Sequence, residues 1–186
     1  MMRVSERLAA LAAALLLATP AAAADLGKPG LPVVVTLAGK IANTNRPAFD
    51  AEADLFLKYH ERSFDKAAAF DIPMLEALGL HSVEVKIPEW PVPVTVEGPY
   101  LKDLLAAVGA EGDTVSLVAL DGYASELNWS DVEALDWIVG IRADGRPLGL
   151  GQRGPLWVVY SYPDGRALTA EDELRWPWAT FYIEIE

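Results

Sequence analysis

The stretch DGRPLGLGQRGPLWVVYSYPDG, Asp144–Gly165, carries the densest structural signal in the chain. Its apolar segment LWVVYSY, Leu156–Tyr162, is β-branched and aromatic, which predicts a buried strand. Asp144-Gly145 follows a second apolar run, WIVGIRA, which reads as a strand that turns at this pair. Between turn and strand lies GLGQRGP, residues 149–155. No Gly-Lys-Ser/Thr follows it and no helix follows it. It is therefore neither a phosphate-binding P-loop nor a dinucleotide fingerprint. Two readings stay open: backbone N–H groups cradling an anion, with Arg153 at the tip, or a corner that feeds a central strand.

Outward from there, the chain reads as strands separated by short helices. LPVVVTLAG (Leu31–Gly39) predicts a strand, followed by a polar loop with Asn43 and Asn45. Phe49, Ala53, Phe56, Leu57, His60, Phe64 and Ala68 recur at spacings of three and four, opposite Glu52, Lys58 and Asp65. That period predicts an amphipathic helix from about Asp50 to Ala69. DIPMLEALG predicts a short helix with Pro73 near its start. HSVEVKI and VTVEG predict strands, PYLKDLLAAVGA a helix, and DTVSLVAL with YASELN a hairpin turning at Asp121-Gly122. Ser130 and Glu133 have the spacing of a capping box. ATFYIEIE predicts a last strand, reached through LTAEDELRWPW, whose acidic run reads as a solvated loop. There is no βαβ repeat and no internal duplication. The expected class is α+β, a single mixed, β-rich domain with largely antiparallel strands.

The first 24 residues predict a cleaved secretory signal: Arg3 and Arg7, an apolar run from Leu8 to Ala18, then Pro20 and AAAA. The apolar run is too short to span a bilayer. The expectation is an exported, periplasmic protein whose mature domain covers residues 25–186, with no membrane insertion after cleavage. With no cysteine, that domain is held by packing alone and offers no thiolate to a metal. The net charge of −12 argues against nucleic acid and against adsorption to anionic lipid.

Catalytic signatures are sparse. His60 and His81 lack the spacing of metal ligands, and no G-x-S-x-G is present. No catalytic residue and no metal site is expected. The six tryptophans read mostly as core, with Trp176 and Trp178 around Pro177 suited to a rim.

The succession LAGKIANTN, MLEALG, VTVEGPYLKDLLAAVGA, DGYASEL and ADGRPLGLGQRGPLWVVYSYP resembles the molybdopterin-binding domain of the sulfite oxidase family. It is most similar to the small exported stand-alone versions of that domain. The resemblance spans about Leu31 to Glu186 and implies a β-rich mixed fold. Catalytic members hold molybdenum through the pterin dithiolene and one protein Cys, and transfer oxygen atoms. The corresponding segment here, VEVKIPEWPVPVTVEG, has no Cys. Trp157 stands where the family's enzymes carry an Arg facing the cofactor phosphate, with Arg153 nearby. The resemblance thus implies a vestigial cofactor cleft made of Asn43, Asn45, Tyr123, Arg153, Gly154, Trp157 and Arg175. It implies molybdopterin as the ancestral occupant, while the missing thiolate argues for no cofactor now. The leading expectation is a non-catalytic ligand-binding or accessory module. It would serve an unknown small ligand, or an exported or membrane-sensor protein partner. One alternative is an oxygen-atom-transferring oxidoreductase that binds the pterin without a thiolate. Another is a docking protein with no small ligand, using Phe56 and Phe64 as anchors.

Overall fold

VTLAG, at the end of the first predicted strand, forms β1 (Val35–Gly39), buried except at its last residue. It pairs in parallel with β11 (Thr180–Ile185), Thr36 opposite Tyr182 and Gly39 opposite Ile185. The computed structural model describes residues 25–186, and the predicted signal, residues 1–24, lies outside the described residues. On its other side β1 pairs antiparallel with β2 (Ala68–Phe70). The predicted hairpin forms β5 (Thr114–Ala119) and β6 (Ala124–Asn128), and β5 joins the free edge of β11. The result is a five-stranded sheet in the order β2-β1-β11-β5-β6.

The stretch Asp144–Gly165 contributes to two smaller sheets. Its apolar run forms β10 (Trp157–Ser161), antiparallel to β7 (Asp136–Gly140). Asp144 and Gly145, both at positive φ, turn β8 (Arg142–Ala143) into β9 (Arg146–Pro147). These two strands extend the hairpin of β3 (His81–Val85) and β4 (Val94–Gly98) into a four-stranded sheet. At Gly140 a Cβ would lie 2.7 Å from the Trp157 carbonyl oxygen and would also strike Val96, so only glycine lets β4, β7 and β10 close up there.

One apolar core joins all three sheets. Leu37, Leu117 and Ile183 from the large sheet meet Val96 from β4, Val139 from β7 and Val159 from β10. The helix α3 (Leu101–Ala107) adds Leu101, Leu104 and Leu105 to the same core. A domain with one continuous core folds as one unit. The described chain is therefore a β-rich α+β domain with largely antiparallel strands, as its pattern predicts. A second, small cluster of Ala38, Leu57, Ala67, Val118 and Tyr182 lies apart from it, flanked by Phe49, Phe64 and Phe181.

Three local expectations are corrected. The long helix over Asp50–Ala69 is instead a single turn, α1 (Leu55–Tyr59), and Ala68 belongs to β2. Asp50 takes the N–H groups of Glu52 and Ala53 in a local turn, and Glu61 at φ 56° ends the helix. The aromatic spacing mimics a helix because Phe49 and Phe64 gather on the small cluster from an irregular loop. Ser130 and Glu133 are not a capping box: α4 (Trp129–Ala134) is capped at Asn128 without a side-chain bond. The box occurs elsewhere, at Thr169 and Asp172, which start α5 (Ala170–Glu173). The acidic run is thus not simply a solvated loop, since Asp172 is buried. The second predicted short helix forms as α2 (Ile72–Ala77), with Asp71 as its N-cap accepting from Met74 N–H.

Candidate functional site

The segment after α5 runs Leu174, Arg175, Trp176, Pro177, Trp178 and enters β11. Val158 N–H donates to the Pro177 carbonyl and Ala179 N–H to the Arg153 carbonyl, tying this segment to the start of β10. The seam holds an open cleft in two halves. One half, about 280 Å³, is lined by Arg153, Trp157, Glu173, Trp176 and Trp178. The other, about 310 Å³, shares Glu173, Trp176 and Trp178 and adds Ala119, Asp121, Tyr123 and Leu174.

Aromatic packing fixes the floor. Trp157 and Trp176 are buried and meet edge to face at 6.3 Å, and Trp90 contacts both at 6.0 and 6.2 Å. Such edge-to-face pairs favour one relative orientation of the rings. The Arg153 guanidinium lies 4.4 Å from the Trp157 ring centroid and 5.3 Å from that of Trp90, a cation–π arrangement. The ion pairs among the described residues use Arg46, Arg62, Arg142, Arg175 and His81, and Arg153 is in none of them. The Trp176 indole N–H is buried and has no acceptor among the described residues. At the other end, the Tyr123 hydroxyl donates to the Leu174 carbonyl at 2.6 Å, so its ring is what it offers the cleft. Trp178 is 55% exposed on the rim.

A fully satisfied brace holds the neighbouring ground. Asp172 Oδ1 accepts from the Tyr160 hydroxyl at 2.5 Å and the Tyr162 hydroxyl at 2.6 Å. Its Oδ2 accepts from Thr169 N–H at 2.7 Å and the Thr169 hydroxyl at 2.9 Å. Burial pushes the Asp172 carboxyl up, but these donors, the tyrosine hydroxyls first, outweigh it and hold it below the usual carboxylate range. The Tyr160 hydroxyl is pushed well above its ordinary value by burial and by the Asp172 charge it donates to.

The structure divides the residues assigned by resemblance. Arg153 and Trp157 line one half of the cleft and Tyr123 the other. Gly154 adjoins the Arg153 half, but its role is steric: a Cβ there would lie 2.5 Å from the Leu148 carbonyl oxygen and 2.7 Å from that of Gly149. Within the GLGQRGP loop, Gln152 and Gly154 N–H both donate to the Gly149 carbonyl, and the loop turns the chain into β10. Arg175 turns away, paired with Asp131 at 2.6 Å and lying over Trp137 and Tyr160. Asn43 follows the end of β1, its N–H donating to the Val108 carbonyl and its Nδ2 to that of Ala107. Arg153 contacts the chain just before β11 begins, so the strand's six residues separate the two, roughly 20 Å. Asn45 braces the outer edge of β2, exchanging two hydrogen bonds with Ala69. These residues do not fit a metal-carrying pterin phosphate. The cleft has one arginine outside the ion pairs of the described residues, Trp157 is buried where the resemblance would put a phosphate-facing Arg, and the sequence contains no Cys. Among the described residues no group of three or more His, Asp or Glu is placed to hold a metal ion.

Glu173 and Asp121 belong to the cleft although their sequence contexts read as solvated loop and turn. Thr169-x-x-Asp172 is the signal that was available, since a capping box starts a helix and sets which face of the acidic run turns inward. Of the two proposed docking anchors, Phe64 packs inward, edge-on to Phe49 and beneath the Arg46 guanidinium. Phe56 is 47% exposed, beside His60 and Phe181. No family model matches the chain, and no curated protein matches it in sequence.

Proposed function

We propose that this chain is an exported, periplasmic, non-catalytic ligand-binding or accessory module. Its fold would be like the molybdopterin-binding domain of the sulfite oxidase family, emptied of its original chemistry. The observation that carries the reading is Arg153, a guanidinium laid over two tryptophans at a cleft and paired with no carboxylate among the described residues. Arginine so placed offers a planar fork of donors to an acceptor-bearing small molecule. The aromatic floor is rigid before binding, so little ordering entropy opposes a ligand.

Native mass spectrometry of the mature protein, purified from an exporting and cofactor-competent host, tests this, with molybdenum measured on the same sample. A non-covalent organic adduct retained by the wild type and lost in Arg153→Ala is the expected result. Absence of any adduct opposes it. Stoichiometric molybdenum with pterin would replace it by the oxidoreductase alternative.

Phe56 favours a second reading. Its exposed ring, with Val33, Val34 and Phe181, lines a shallow hollow of about 240 Å³ edged by the Arg46–Asp54 ion pair, a mixed surface for an exported or membrane-sensor protein. On that reading there is no small ligand: no Arg153-dependent adduct is retained, and Phe56→Asp abolishes association with that protein.

A further inference from the structure

Resting on the ligand-binding reading, we propose that the cleft takes a small zwitterion, its carboxylate on the Arg153 side and its ammonium on the Asp121 side. The two halves adjoin, sharing Glu173, Trp176 and Trp178 as lining, while Arg153 lines only the one and Asp121 only the other. The Arg153 half supplies a donor fork: among the described residues the guanidinium is outside every ion pair and lies over Trp157 and Trp90. The other half supplies acceptors and ring faces: the carboxylates of Asp121 and Glu173, with Tyr123 and Trp178. Aromatic faces beside carboxylates attract ammonium groups, quaternary ones most clearly.

Glu173 and Arg153 line the same half yet form no ion pair. The cleft thus keeps a cation and an anion apart, which suits one molecule carrying both charges. Whole-molecule charge points the same way. At −12 the protein repels a simple anion, whereas a zwitterion bears no net charge and approaches without that barrier. Each half, at roughly 300 Å³ or slightly less or more, has room for one small polar headgroup.

Calorimetric titration with three near-isosteric probes tests the class. Glycine betaine carries both charges, choline only the cation, and 3,3-dimethylbutyrate only the anion. The wild type is expected to bind glycine betaine at least tenfold more tightly than either of the others. Arg153→Ala should bring glycine betaine down to the level of choline. Asp121→Asn with Glu173→Gln should bring it down to that of 3,3-dimethylbutyrate. Both variants should keep the wild-type far-UV circular dichroism. Equal binding of glycine betaine and either singly charged probe overturns the proposal, as does glycine betaine binding that neither variant alters. If glycine betaine fails while the Arg153-dependent adduct of native mass spectrometry persists, the zwitterion is wrong and the cleft stands. If both fail, the ligand-binding reading falls with it.

Discussion

Asp172 and Glu173 are adjacent carboxylates at the end of one short helix, and they have opposite circumstances. Asp172 accepts four hydrogen bonds from Tyr160, Tyr162 and Thr169 and is buried. Glu173 faces a cleft that contains Arg153 and is bound to neither arginine nor hydroxyl. The pairing holds more widely. Arg175, nearby in the chain, is spent on Asp131, while Arg153 across the seam is in no ion pair among the described residues. Polar groups that hold a fold together are mutually satisfied. Polar groups set aside from such pairing, on a rigid apolar floor, mark the place where something else is to be bound. The seam between α5 and β10 thus contains both kinds side by side, a brace and a site.

The largest expected effect tests the brace. Asp172→Ala strands two tyrosine hydroxyls and removes the helix cap, so it should cost about 3 kcal/mol or more, given about 1.5–3 kcal/mol for a bond to a charged group. Thermal unfolding should show it as a fall of roughly 6–12 °C. A change under about 1 kcal/mol would mean the brace is ornamental.

Asp71 gives a smaller effect of the same kind. Its carboxylate accepts from Gly30 and Leu31 N–H at 2.7 and 2.8 Å and from Met74 N–H at 2.9 Å, clamping the segment before β1. Asp71→Ala should cost about 1–2 kcal/mol in denaturant unfolding.

The pH dependence separates the two ends of the brace. Burial raises the Asp71 and Asp172 carboxyls, but their donors win and both sit below the ordinary value. Their stabilisation is complete above about pH 4, the unfolded carboxyl value, and is lost as pH falls through their lower folded values. Tyr160 and Tyr182 are raised, first by burial and then by the nearby carboxylates Asp172 and Glu184. Their contribution is complete below about pH 10 and is lost as pH rises beyond it. Denaturant midpoints measured across pH should therefore fall at both extremes. Asp172→Asn should flatten the acid limb, and an unchanged acid limb would remove Asp172 from the account.

The smallest effects belong to the cleft. Glu173→Gln should change stability by no more than about 0.5 kcal/mol, and Arg153→Ala by about 0.5–1 kcal/mol, the worth of its contact with the Trp157 and Trp90 rings. A larger loss for either would turn the site into part of the brace.

Much of this arrangement was legible in the residues. The β-rich α+β class, the Asp121-Gly122 and Asp144-Gly145 turns and the strand Trp157–Ser161 follow from alternation and turn chemistry, which are local. The loop over 50–69 was not legible, because Phe49, Phe56 and Phe64 keep a helical spacing while serving a sheet face. Only the pairing of Ala68–Phe70 with β1 decides between the two. Of the cleft, Arg153, Trp157 and Tyr123 could be named from their positions in the succession of motifs. Asn43 and Asn45 could not be excluded, since parallel pairing of the first and last strands determines which end of the sheet they reach. Glu173 was hidden because consecutive acidic residues look alike until a capping box sets which one turns inward.

Thermal unfolding of Arg153→Ala and Asp172→Ala beside the wild type, with and without glycine betaine, tests the division between brace and site most directly. The account predicts that Arg153→Ala melts within about 4 °C of the wild type, as a loss of about 1 kcal/mol or less implies, and loses the shift given by glycine betaine. Asp172→Ala melts well below both. An Arg153→Ala protein that melts as low as Asp172→Ala would contradict the account, because Arg153 would then be holding the fold rather than awaiting a ligand.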